Sequence, residues 1–160
     1  CPNHTALSDP FFVAFAFQKK NPLRVMAKIQ LMRVPVIGWL LGKAGIFGVD
    51  RGHADMHAAK TALRCLKEGH KLLIFPEGTR VEEGENVDAK AGAAMFATRT
   101  GVPIVPMYIP AQKHWFRPTT VVIGEPYYPQ IQGRRATAEE NQEIAREIMR
   151  RIHALGGLPQ

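Results

Sequence analysis

Apolar and polar positions alternate along the chain in short segments whose period switches between that of a helix and that of a strand. Asp9-Pro10 opens the apolar run Phe11–Phe17. Proline is favoured at the first helical position and aspartate as a cap, so a helix is expected from there to Phe17. Leu23–Ala27 reads as a short strand, and Ile29–Leu41 is apolar at helical spacing with an interruption at Pro35. Ile46–Val49 reads as a buried strand. Asp55–Glu68 is expected to be a helix, with Met56, Ala59, Leu63 and Leu66 on one face and Gly69 as its stop. Lys71–Phe75 reads as a strand ended by Pro76, and a polar loop follows over residues 76–90. Ala91–Thr100 is a helix of small residues stopped by Gly101, and Ile104–Ile109 and Thr120–Ile123 are strands. Thr137 and Glu140 make a capping box for a last helix to about Leu155, with Ile144, Ile148 and Ile152 at helical spacing. Strands separated by helices predict an α/β fold with a largely parallel or mixed sheet flanked by helices. No repeat or linker divides the sequence, so residues 1–160 are expected to form a single domain.

Composition adds a partner class. At 160 residues, 46% hydrophobic and 22% charged, the chain is long and apolar enough for one real core. The formal net charge of +7 calls for an anionic partner. The excess is uneven: residues 1–51 carry Lys19, Lys20, Arg24, Lys28, Arg33, Lys43 and Arg51 against only Asp9 and Asp50. It is interleaved with Leu31, Met32, Val36, Ile37, Trp39, Leu40 and Leu41. Basic residues among apolar ones suit a bilayer surface better than a nucleic-acid duplex, although a solvated basic face over a core-facing apolar stripe would give the same pattern. No nucleic-acid-binding motif or stacking platform is visible, and no nucleic-acid partner is expected. Cys1 and Cys65 do not make a disulfide framework, so a reduced cytosolic setting is the simpler reading. The longest purely apolar run, Phe11–Phe17, is too short to span a membrane.

Four segments hold the candidate chemistry. In the first, Asn3-His4 precedes Asp9. A turn between His4 and Asp9 would let the carboxylate bond one imidazole nitrogen and leave the other to accept a proton from a hydroxyl. The plain alternative is an N-cap aspartate beside an unremarkable loop histidine. In the second, Gly45–Arg51, an apolar strand ends in Asp50-Arg51. Ligand sites in parallel sheets lie at the carboxyl ends of strands, where Arg51 could grip a phosphate or merely pair with Asp50. In the third, Phe75-Pro76-Glu77-Gly78-Thr79-Arg80, a strand, a proline stop and a turn would present Glu77 and Arg80 at one edge. Backbone N–H groups around Gly78 and Thr79 could face a tetrahedral oxyanion, and an exposed ion pair on a tight turn is the alternative. The fourth, Val102-Pro103-Ile104-Val105-Pro106, brackets a short apolar strand with prolines and could equally be core packing. His53 and His57 lie four apart but lack a third ligand, so no metal is expected. Cys1, with His4 close by, leaves open an N-terminal-nucleophile hydrolase.

In order and type the four segments resemble the motif set of the glycerolipid acyltransferases, most closely the 1-acylglycerol-3-phosphate (lysophosphatidic acid) acyltransferases. The resemblance runs from Asn3 to Pro106. It implies a glycerol-3-phosphate acyltransferase-like fold and transfer of a fatty acyl group from a thioester to the free hydroxyl of lysophosphatidic acid, giving phosphatidic acid. His4 would be the general base and Asp9 would orient it. Arg51 and Arg80 would hold the acceptor phosphate, while Asn3, Glu77, Gly78, Thr79 and Pro103 would belong to the substrate site. No cofactor is implied; acyl-CoA or acyl carrier protein would be the co-substrate. The family resemblance also implies work at a phospholipid surface on the cytoplasmic face of the cell membrane. It further implies a membrane-associated segment and a first strand upstream of Asn3. Many relatives have serine after the arginine of the third segment, where this chain has Val81. A glycerol-3-phosphate or other lysophospholipid acyltransferase, and a non-catalytic lipid-binding protein, are the alternatives.

Overall fold

The computed structural model describes residues 1–17, 23–43, 45–50, 55–81, 88–112 and 119–157. Its elements in chain order are α1 (Asp9–Phe17), β1 (Leu23–Lys28), α2 (Ile29–Met32), α3 (Pro35–Lys43), β2 (Ile46–Val49), α4 (Met56–Lys67), β3 (Lys71–Leu73), α5 (Gly92–Thr100), β4 (Met107–Tyr108), β5 (Val122–Ile123) and α6 (Ala138–Leu155). These gather into two compact units, Phe17–Ile74 and the pair of segments Cys1–Ala16 and Phe75–Gln160.

The Phe17–Ile74 unit is built on a three-stranded parallel sheet in the order β2-β1-β3. Val25 of β1 pairs with Ile46 on one side and Leu73 on the other. Parallel strands need crossover connections, and α2, α3 and α4 supply them. Helix α4 packs on β3 and β2. It starts at Asp55, whose side chain accepts from the Ala58 N–H at 2.9 Å, and its buried face is Ala58 and Ala62. The expected face was Met56, Ala59, Leu63 and Leu66; instead Met56 is 65% exposed. Small residues let the helix lie close to the sheet, so the buried stripe is set by Ala58 and Ala62 rather than by the longer side chains. Helix α3 leaves Val36 and Trp39 exposed, with Lys43 Nζ 4.3 Å from the centre of the Trp39 ring. The exposed Lys28 and Arg33 lie nearby in sequence.

In the other unit, α5 packs on α6, and α6 on β4. Ala93, Ala94, Phe96 and Ala97 are buried on α5, and Ile144, Ala145, Ile148 and Ile152 on α6. Thr137 caps α6 by accepting from the Glu140 N–H at 3.1 Å, while the Glu140 carboxylate accepts from the Thr137 N–H at 2.8 Å, completing the capping box. Gly101 ends α5 with a left-handed φ of 68°, a conformation that favours glycine.

Strands β4 and β5 form an antiparallel pair. The chain start runs beside β4: Pro2 bridges Met107 in parallel, and the Met107 N–H donates to the Cys1 carbonyl at 2.9 Å. The expected strand Ile104–Ile109 is thus reduced to two residues and an isolated bridge between Ile104 and Tyr127. Pro103 and Pro106 have no N–H to offer a ladder, so regular pairing is confined between and beyond them. The strand predicted over Lys71–Phe75 likewise stops at Leu73, ahead of Pro76.

Candidate active site

The site is assembled from the chain start and the loop 75–81, both within the unit that contains α6. Asp9 is the first residue of α1 and is fully buried. Its Oδ2 accepts three bonds, from His4 Nδ1 at 3.1 Å, the Thr5 N–H at 2.8 Å and the Ala6 N–H at 2.7 Å. Sequence suggested a forward-facing helix cap. The carboxylate instead turns back on residues 4–6, while the Phe12 N–H takes the Ser8 carbonyl as the first helical bond. One oxygen thus fixes both the turn and the imidazole. With Nδ1 engaged, Nε2 is the nitrogen left to accept a proton.

His4 itself is buried, at 7% exposure, and is held from other directions too. Its ring stacks on Phe75 with centroids 4.1 Å apart and an interplanar angle of 27°. Its N–H donates to Glu77 Oε2 at 2.7 Å, and its carbonyl accepts from the Val81 N–H at 2.9 Å. Glu77 is also buried. Burial pushes its carboxyl up to about 7; the His4 N–H opposes that shift and the nearby Asp9 charge adds to it.

Asn3 has a structural occupation. Its side-chain amide donates to the Ile109 carbonyl at 2.8 Å and accepts from the Ile109 N–H at 2.7 Å. This imitates a β-bridge and uses the groups that a substrate contact would need. The Gly78 N–H is likewise committed, donating to the Phe75 carbonyl at 3.0 Å to close a turn. That bond takes it away from the oxyanion role considered for it. Gly78 has a φ of 70°, and a Cβ there would sit 2.8 Å from Lys90 Cε. Thr79, Arg80 and Pro103 are exposed. Arg51 and His53 lie outside the described residues. Sequence reading assigned no task to the Phe75 ring, the Val81 N–H or the Ile109 backbone; their contacts with residues 3 and 4 carry no local signal.

This arrangement is a buried, oriented imidazole with one nitrogen available, which is the equipment of a general base. A family model described as Acyltransferase matches residues 1–110. The chain belongs to this acyltransferase family. It is 33% identical over 150 residues to the 1-acyl-sn-glycerol-3-phosphate acyltransferase of Pseudomonas aeruginosa, covering 87% of this chain and 57% of that protein. The protein of the same name from Borreliella burgdorferi is 32% identical over 116 residues, covering 71% of this chain and 46% of its own length. Among solved structures, the 1-acyl-sn-glycerophosphate (LPA) acyltransferase PlsC from Thermotoga maritima matches with a TM-score of 0.67 and 25% identity, over 99% of this chain and 66% of that one. The chain spans about half the length of the curated relatives it matches. The α/β acyltransferase fold expected from sequence is therefore the fold of this chain. No helix among the described residues is long and apolar enough to cross a membrane.

Proposed function

We propose that this protein transfers a fatty acyl group from a thioester, acyl-CoA or acyl carrier protein, to the free hydroxyl of 1-acylglycerol-3-phosphate. The observation that carries the reading is the buried His4–Asp9 pair in a chain of the acyltransferase family. His4 Nε2 removes the hydroxyl proton as the oxygen attacks the thioester carbonyl. The tetrahedral intermediate collapses with cleavage of the C–S bond, and the protonated His4 returns its proton to the departing thiolate. Asp9 keeps the imidazole in one tautomer and steadies its charged form. The acceptor is favoured by the names of the relatives and, in sequence, by two cationic residues suited to a phosphate, Arg51 and Arg80, of which Arg80 is exposed.

The acceptor and product are lipids, which supports a reaction at a membrane surface, and we assign it to the cytoplasmic side as part of the same proposal. The exposed Val36 and Trp39 of α3, beside Lys43 and near Arg33, supply apolar and cationic contacts suited to anionic lipid. An acyl-transfer assay tests the whole reading. Coenzyme A and carrier-protein donors are paired with 1-acylglycerol-3-phosphate, glycerol-3-phosphate and other lysophospholipids, with His4→Ala as control. Transfer to 1-acylglycerol-3-phosphate that is lost in His4→Ala is expected. Full activity in His4→Ala refutes the mechanism, and activity on glycerol-3-phosphate alone refutes the acceptor.

A further inference from the structure

The loop 75–81 meets His4 at its peptide N–H, its ring and its carbonyl, through Glu77, Phe75 and Val81 respectively. The N–H contact is the unusual one. A carboxylate that has lost its water normally finds a basic side chain or several donors. Glu77 is 6% exposed, and among the described residues it makes no ion pair. It accepts a short bond, 2.7 Å, from the main-chain N–H of the residue that carries the imidazole. The loop is itself anchored on both sides of Glu77. The Lys90 N–H donates to the Pro76 carbonyl at 2.8 Å, and the Gly78 N–H closes the turn onto Phe75.

We propose that Glu77 is a positioning residue for His4: its carboxylate holds the His4 peptide N–H and thereby sets the direction in which Nε2 points, and it does not hold the acceptor. Asp9 alone fixes Nδ1 but leaves the main chain at His4 to be fixed by something else. Glu77 fixes that main chain from one side and the Val81 N–H from the other. The ring then has little freedom to swing about the Asp9 contact. A misplacement of about 1 Å in a reacting group can cost roughly 100-fold in rate, so this tie acts on turnover rather than on affinity.

The inference rests on His4 being the base, and the test separates the two. Kinetics of the protein are compared with those of His4→Ala, Glu77→Ala and Glu77→Gln, with acyl-CoA and 1-acylglycerol-3-phosphate as substrates. Glu77→Ala is expected to lower kcat by about 10- to 100-fold and to leave the acceptor KM within about threefold. Glu77→Gln keeps an oxygen that can accept from the same N–H and should recover most of the lost kcat. A raised acceptor KM with unchanged kcat in both variants overturns the proposal, because it makes the Glu77 charge a substrate contact. Unchanged kcat in Glu77→Ala also overturns it. Loss of activity in Glu77→Ala alongside full activity in His4→Ala instead removes the base reading. Should Glu77→Ala fail to fold, Glu77→Gln and one measurement on the unaltered protein decide. A nitrogen–carbon scalar coupling across the hydrogen bond is expected between the His4 amide and the Glu77 carboxyl in isotope-labelled protein. Its absence overturns the proposal, as does a Glu77→Gln enzyme with kcat as low as that of His4→Ala.

Discussion

Asp9 offers the sharpest separation of stability from catalysis, because one of its oxygens serves both. Replacing it with alanine strands two N–H donors, those of Thr5 and Ala6, and releases His4 Nδ1. An orphaned buried donor costs about 1–3 kcal/mol, and these two are only partly buried, so the low end applies to each. Together with the charge-assisted bond to the imidazole, the loss should total about 3 kcal/mol. For a protein of this size that lowers Tm by roughly 6–12 °C. Asparagine at the same position can still present an oxygen to all three donors but carries no charge. Asp9→Asn should therefore lose only about 1 kcal/mol, or roughly 2–4 °C. Its acyl transfer should nonetheless fall by about 100- to 10,000-fold, the worth of a positioned general base. Thermal melts by circular dichroism and release of free thiol from the donor measure the two effects. An Asp9→Asn enzyme with undiminished transfer refutes the argument that the charge supports the base. An Asp9→Ala protein that melts with the unaltered protein refutes the structural role of the turn.

Glu77 has its carboxyl raised to about 7 from 4.5, so its contribution to stability is fully present below pH 4.5 and is lost as pH rises to about 7. The span is at most about 3 kcal/mol. Glu77→Gln should accordingly raise Tm at pH 8 and leave it nearly unchanged at pH 4.5, and equal shifts at both pH values contradict the burial of the charge. Gly78→Ala places a Cβ against Lys90 at a positive φ and should cost about 1–2 kcal/mol in urea unfolding. Thr137→Ala removes the capping box of α6 and should cost about 1 kcal/mol by the same measurement. Trp39→Ala should weaken co-sedimentation with anionic vesicles roughly tenfold, the effect of losing about 1.4 kcal/mol of apolar contact. Unchanged sedimentation removes α3 from the membrane-facing surface.

Helices were the most legible elements. Asp9-Pro10, Gly101 and the Thr137–Glu140 box are local signals, and α1, α5 and α6 begin or end where those signals stand. Strands were legible as segments but not in extent, since Pro76, Pro103 and Pro106 cut pairing short wherever a ladder N–H was required. The His4–Asp9 contact was accessible because it spans only five residues. The direction of the carboxylate was not, since a helix-start aspartate can face forward or back. The duties of Asn3 and Glu77 were hidden for a different reason. Each meets a main-chain group of a distant residue, and main-chain groups are common to all residue types and leave no trace in composition or spacing.

The ties between Asn3 and Ile109 and between His4 and Glu77 join residues 106 and 73 positions apart. Loops of that length are slow to close, because chain entropy opposes the encounter before any contact rewards it. The cradle around His4 and Asp9 is therefore incomplete until residue 109 has been made and has reached them. Competence for catalysis is thus a late event in the maturation of the chain. Recovery of acyl transfer after dilution from denaturant should follow the slowest folding phase and lag behind the return of helical signal.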